Sequence, residues 1–416
     1  MDRKGLRGSK EINAFVNLPH SQPPAPAAHP LPDAAALAHS ARLSDQIRDE
    51  IRAAGGSISF RRFMDRALYA PGMGYYSAGA IKFGAAGDFV TAPELSPLFS
   101  ICLARQCEEI LQLAGGDVIL ELGAGSGRMA ADLLRELIAR GSAPREYWIL
   151  ETSAELRQRQ RQWLSGELPE FAPCIRWLDR LPAAGVRGVI LANEVLDAVP
   201  VCRVRISPGR ILETRVASEG GQLAWRDLPA DTELDGAVRE IVRGLGSTLP
   251  DAYTTEINTG LGALVSSWAG TLEAGALLLL DYGYPRNEYF HPQRADGTLL
   301  CHYRHRVHTD PFLYPGLQDI SAAVDFTAVV EAGAAAGLDL LGFTTQAHFL
   351  IGCGIGEIAT GGTPPDSRAW PGVAQQLRVL TLPGEMGEFV KAVALGRQLP
   401  PRPLMGFAAM DQRRRL

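Results

Sequence analysis

The chain has 416 residues, enough for one large elaborated domain or two modest ones. Apolar residues make up 46% and charged ones 21%, the balance of a packed globular protein. A net charge of −5 gives no bulk reason to expect nucleic acid, no apolar run approaches a membrane span, and six scattered cysteines without a C-x-x-C pair read as core thiols in a reduced compartment.

Residues 1–42 read as a disordered Pro/Ala-rich tail, with Ser21-Gln-Pro-Pro-Ala-Pro-Ala-Ala-His-Pro30 at its centre. The tail has no signal-peptide core. Acids at Asp2, Glu11 and Asp33 weigh against a mitochondrial transit peptide, so a cytoplasmic protein is the simplest expectation. Residues 43–115 read as a helical and loop cap. Ser44 starts a helix running to Arg52, and Ile58 to Tyr69 has helical apolar spacing that stops at Pro71-Gly72. A Gly-rich loop carries Gly74-Tyr75-Tyr76 and Gly84 to Glu94, and a helix spans Ser96 to Leu113.

An alternating strand and helix register begins at Val118. Strands are expected at Val118–Leu122, Tyr147–Glu151, Ile175–Leu178, Val189–Asn193 and Ala276–Asp281. This predicts an α/β, Rossmann-like fold, a parallel sheet with helices on both faces, split into a first part over 116–200 and a second over 271–416. Between them, residues 201–270 read as a β-rich insertion over the sheet's carboxyl edge, with hairpin turns at Pro208-Gly209 and Gly220-Gly221. An irregular segment runs over 284–320. A helix over Asp325 to Ala336 and two closing strands follow, and Gln412-Arg-Arg-Arg-Leu416 reads as a solvated tail.

The most informative stretch is Val118-Ile-Leu-Glu-Leu-Gly-Ala-Gly-Ser-Gly-Arg-Met129. A buried strand ends in a carboxylate, Glu121, and turns into a helix through Gly123, Gly125 and Gly127. Without side chains at the turn, a ligand can lie on the backbone near a helix N-terminus. A dinucleotide site spaces its glycines G-x-G-x-x-G. Here the third glycine comes two residues after the second. The E-x-G-x-G-x-G form resembles S-adenosylmethionine-dependent methyltransferases of the Rossmann-like class. Their sulfonium ligand carries no phosphate, so an acid beside the turn is useful.

Other polar groups fall at the same sheet edge. Glu151 ends the second strand, where a carboxylate can accept both ribose hydroxyls, or can simply start a helix. Asp179 follows the third strand, where it could reach an adenine amine or stand in a solvated loop. Asn193 and Glu194 end the fourth, and Asp197 follows three residues on. Carboxylates at Glu194 and Asp197, with Asp281 at the end of the fifth strand, would suit a guanidinium, and are the candidate catalytic residues. The alternative is a helix start with acids favouring its dipole. His302, His305 and His308 have a metal-like spacing, but Arg304 and Arg306 lie between them, so a polar loop near the site is expected and no metal.

Several stretches together resemble the MidA-like methyltransferase family, relatives of the mitochondrial complex I assembly-factor protein arginine methyltransferase. They are Phe63 to Tyr76, Gly87 to Glu94, Glu121 to Gly127, Asn193 to Val201, Leu280 to Gly283 and Tyr314 to Ile320. The resemblance covers the chain from about residue 43 onward. It implies S-adenosyl-L-methionine as cofactor, held by Glu121, Gly123, Gly125, Glu151 and the Asn193-Glu194 turn, with Gly87-Asp88 and the following loop closing over it. It also implies a protein substrate, an arginine of a complex I-type subunit, with a homodimer as a further expectation. Two other functions compete. One is a cofactor-binding assembly factor that holds a partner protein; the other is a small-molecule methyltransferase.

Overall fold

The structure, a computed structural model, describes residues 29–78 and 91–416. The expected tail over 1–28 lies outside the described residues, as do Gly87 and Asp88.

Seven strands form the central sheet: β1 (Val118–Leu122), β2 (Glu146–Leu150), β3 (Ile175–Leu178), β4 (Val186–Asn193), β5 (Leu272–Tyr284), β6 (Asp339–Thr345) and β7 (Val390–Arg397). Their order across the sheet is β6-β7-β5-β4-β1-β2-β3, with the two-residue strand Val324–Asp325 beside β5. Pairs from β3 to β5 are parallel, whereas β7 runs antiparallel to both β5 and β6. Every residue of β1 is buried. Ile119 and Leu278 point into one core, and Leu120 and Leu277 into the other. Burial on both faces explains why these strands read as unbroken apolar runs.

Helices Arg128–Ala139, Ala154–Glu167, Leu261–Thr271 and Phe326–Ala335 cover the two faces. The chain reverses its direction of winding between β1 and β4. In an open α/β sheet that switch point leaves a crevice outside the carboxyl ends of the strands.

A second lobe stands near that crevice. Strands Cys202–Ser207, Arg210–Glu219, Gln222–Pro229 and Tyr253–Ile257 form an antiparallel sheet, and Ser57–Ile58 from the N-terminal region joins its edge. Helices Ala34–Ala53 and Phe60–Tyr69 pack there through Leu43, Ile47, Phe60 and Phe63. The cap and the insertion therefore share a sheet.

Three expectations need correction. The first helix starts at Ala34, within the expected tail, because Asp33 caps it by accepting from the Ala36 N–H at 2.8 Å. Helix Leu261–Thr271, expected inside the insertion, packs on the central sheet through Val265 and Trp268. The C-terminal arginines are not a free tail. Gln412 donates its N–H to the Phe343 carbonyl at 2.7 Å, and Arg415 pairs with Glu288 at 2.5 Å.

Candidate functional site

A cavity of about 860 Å³ opens at the carboxyl ends of β1, β2 and β4. Its wall includes Glu121, Gly123, Gly125, Glu151, Asn193 and Glu194. The described residues lining it include five glutamates, Glu94, Glu121, Glu151, Glu155 and Glu194, and no lysine, arginine or histidine.

The glycine turn is built for close approach. Gly123, Gly125 and Gly127 have φ of +69°, +53° and +83°. Side chains are strained in that region. A Cβ at Gly123 would also stand 3.2 Å from the Val195 side chain. Gly127 starts helix Arg128–Ala139 without a side-chain cap, so the helix opens toward the turn.

Glu121 is completely buried. Its Oε2 accepts from the Tyr147 hydroxyl at 2.8 Å, while Oε1 has no hydrogen-bond partner among the described residues. Burial pushes its pKa up to about 7, against the pull of Tyr147. Glu151 is held from its own helix: Oε1 accepts from the Ser153 N–H at 2.9 Å and Oε2 from Gln160 at 3.2 Å.

Glu194 has φ of +52°, a left-handed conformation that costs a non-glycine residue energy. Its N–H donates to the Leu280 carbonyl at 2.9 Å. Asn193 donates from Nδ2 to Glu194 Oε1 at 3.2 Å, and the buried Asn193 Oδ1 has no partner among the described residues. Burial, then the neighbouring Asp281, raises the Glu194 pKa to about 8.

Asp281 fixes this turn. Its Oδ2 accepts from the Val195 and Leu196 N–H groups at 3.0 and 2.7 Å, and Oδ1 from the Tyr282 N–H at 2.8 Å. It is 1% exposed and absent from the cavity wall. Asp281, a candidate catalytic residue from the sequence, gives these oxygens to backbone N–H groups on either side of the turn that carries Glu194. Asp197 is also absent from the wall; burial, with Asp281 and Asp319 nearby, raises its pKa well above the usual range. Asp179 does not reach the cavity. It is exposed and pairs with Arg157 at 2.6 Å, which lowers its pKa.

Residues 102–344 match the family described as "Putative S-adenosyl-L-methionine-dependent methyltransferase". The chain belongs to this family. A Burkholderia thailandensis structure with S-adenosyl-homocysteine bound is 44% identical, with a TM-score of 0.89 over 94% of this chain and 100% of that one. A native structure from the same organism is 43% identical, with a TM-score of 0.86. Among curated proteins, the Drosophila melanogaster mitochondrial "Protein arginine methyltransferase NDUFAF7 homolog" is 26% identical over 91% of both chains. The Danio rerio mitochondrial NDUFAF7 is 28% identical, covering 80% of this chain and 82% of its own.

This methyltransferase uses S-adenosyl-L-methionine, as the family match and the bound product in the Burkholderia relative establish. The residues present fit that group: Glu121 Oε1 and Asn193 Oδ1, without partners among the described residues, belong to the same cavity wall as a glycine turn where a Cβ at Gly123 would crowd Val195. The relatives' mitochondrial names overturn the cytoplasmic expectation. No helix among the described residues is long and apolar enough to cross a membrane.

Further residues complete the wall. Ser126 donates to Glu94, closing the short helix Ala92–Leu95 over the glycine turn. Tyr69 lines the cavity, and Asp319 accepts from the lining Tyr76 at 2.9 Å. Asp319 comes from strand Asp319–Ser321, far along the chain, with no local signal of its destination. The histidine run does not join the wall, contrary to the polar-loop expectation. His302 and His308 sit on a hairpin, and burial lowers both pKa values to about 4. Among the described residues, no group of three or more His, Cys, Asp or Glu is placed to hold a metal.

Proposed function

We propose that this methyltransferase methylates an arginine side chain of a protein. The observation that carries this reading is the cavity wall, with five glutamates and no basic side chain among its described residues. A cationic acceptor offsets the repulsion and desolvation of such a wall. The names of the curated relatives support arginine as the acceptor.

Glu121 and Asn193 would accept from donors on the cofactor, Glu151 from its ribose hydroxyls, and the glycine turn would seat its backbone-facing edge. S-adenosyl-L-methionine supplies an electrophilic methyl group when bound. Glu194 is the residue for the acceptor. A guanidinium is too basic to lose its proton freely. An ionised Glu194 would draw the positive charge onto the non-attacking nitrogens and orient the attacking one. Burial holds Glu194 protonated up to about pH 8 in the empty site; a bound guanidinium would favour the ionised form, a stronger base than an ordinary carboxylate and suited to take the departing proton. Asp281 holds the turn in place throughout. Asp179 and Asp197 have no assigned contact in this scheme.

The test is incubation with methyl-labelled cofactor and cell extract, followed by hydrolysis of the labelled protein. Label in methylarginine, lost in Glu194→Gln, is the expected result. Label confined to other residues or to small molecules would overturn the reading. A complex I-type subunit is the first acceptor to try.

A further inference from the structure

The cavity has an aromatic wall that the scheme above does not use. Tyr69 and Tyr76 both line the cavity, with Pro71 and Gly72 between them in the chain. Their rings are stacked, with centroids 5.5 Å apart and planes 20° apart. Both are pinned. The Tyr76 hydroxyl donates to Asp319 Oδ1 at 2.9 Å, and the Tyr75 and Tyr76 rings stand T-shaped with centroids 5.0 Å apart. The Tyr69 hydroxyl donates to the Ala198 carbonyl at 2.9 Å, in the segment that follows Glu194. The Tyr75 and Tyr76 N–H groups donate back to the Ala67 and Leu68 carbonyls at 2.9 and 2.8 Å.

We propose that Tyr69 and Tyr76 form a stacking wall that selects a planar guanidinium over an ammonium, and that Asp319 is the positioning residue that sets the Tyr76 ring. The proposal rests on arginine being the acceptor. Three observations carry it. First, rigid tyrosine rings stand in a wall whose charged members, among the described residues, are all acidic. Such rings attract a cation through their negative faces. Secondly, a guanidinium is flat and weakly hydrated and stacks on an aromatic face, whereas an ammonium is compact and strongly hydrated. Thirdly, the phenol–carboxylate bond leaves electron density on the ring and locks its rotation, so Asp319 acts on the acceptor through Tyr76. Asp319 also lies within electrostatic reach of Glu194, which ties the wall to the reacting edge.

The experiment uses the full chain saturated with S-adenosyl-homocysteine. Two fluorescein-labelled peptides, identical except for a central arginine or lysine, are titrated by polarisation. Wild type is expected to prefer the arginine peptide. Tyr76→Leu should cut that preference about tenfold, while S-adenosyl-homocysteine affinity and the melting temperature stay near wild type. Tyr76→Phe keeps the ring but loses the bond to Asp319, so it should lower the preference as far as Asp319→Ala does and less than Tyr76→Leu, which guards against a folding artefact. Asp319→Ala should lower the preference, and Asp319→Asn, which keeps an acceptor oxygen, should restore most of it. Equal affinity for the two peptides in wild type, or an unchanged preference in Tyr76→Leu, would overturn the wall. Failure of label to reach arginine in extract, with the binding preference intact, would sink the catalytic reading and leave the wall standing.

Discussion

Glu194 should matter more to activity than to folding, and replacing it should stabilise the protein. Its φ of +52° is the kind of backbone only glycine adopts freely. That strain costs about 1–2 kcal/mol, and glycine's extra unfolded-state entropy gives back about 0.5–1 kcal/mol, so Glu194→Gly gains roughly 0.5–1 kcal/mol from the backbone. Loss of the bonds from Asn193 and from the Ala92 N–H offsets part of that gain. The carboxyl adds a pH-dependent term. Its folded pKa is raised from 4.5 to about 8, so the folded state holds the proton more tightly than the unfolded chain. The penalty on folding is absent below pH 4.5, grows as the unfolded carboxyl ionises, and is complete above about pH 8. Glu194→Gln removes this term and keeps the strained backbone. Urea melts at pH 5 and pH 9 separate the two contributions. Glu194→Gln should gain little at pH 5 and clearly more at pH 9. Glu194→Gly should gain at both. Methyl transfer should be lost in both variants. Retained transfer in Glu194→Gln, or no added stability at pH 9, would refute the reasoning.

Three other outcomes follow from the same geometry. Glu151→Ala should weaken S-adenosyl-homocysteine binding by roughly 1.5–3 kcal/mol, the range for a charged hydrogen bond, with a native circular dichroism spectrum; unchanged calorimetric affinity would reduce Glu151 to a helix-cap acid. Gly123→Val should abolish cofactor binding and lower the melting temperature, because φ is +69° and the added carbon meets Val195 at 3.2 Å; titration and melting curves check both parts. Glu121, with a folded pKa of about 7, should release a proton when a ligand donor reaches Oε1. Cofactor affinity should then fall as pH drops through 7, and the binding heat at pH 6.5 should differ between buffers of different ionisation enthalpy, a difference that Glu121→Gln removes.

Much of the sheet was legible because parallel strands buried on both faces leave apolar runs, as in Val118-Ile-Leu and Val189-Ile-Leu. The glycine turn and Glu121 were legible because a strand, an acid and three alternate glycines are local signals. What failed depended on distance or on compensation. Helix Ala34–Ala53 starts in Pro/Ala-rich sequence, and the Asp33 cap was outweighed by composition. Helices Gln346–Gly352, Ile355–Gly362 and Trp370–Thr381 are short and broken by glycine and proline, so no long apolar period marks them. The candidate roles of Asp179, Asp197 and Asp281 came from their places at strand ends. Strand position sets where a backbone leaves the sheet, not which groups take up a side chain's oxygens. Arg157 takes Asp179, and the turn's own N–H groups take Asp281. Tyr76 and Asp319 meet across 243 residues, which only the fold can bring about.

The distribution of satisfied and unsatisfied groups separates scaffold from contact surface at this site. Asp281 gives its oxygens to backbone N–H groups, and these bonds hold the strained turn at Glu194. Glu121 Oε1 and Asn193 Oδ1 are as deeply placed and lack partners among the described residues. Leaving a buried acceptor unpaired costs about 1–3 kcal/mol. A packed sheet edge could have buried apolar side chains there at no such cost. The open acceptors lie on either side of the switch point between β1 and β4, and both belong to residues in the cavity wall. A ligand bringing donors and positive charge to both would relieve the penalty in one step. The stability lost in the isolated chain would then reappear as affinity, with Asp281 ensuring that Glu194 need not reorganise when the acceptor arrives.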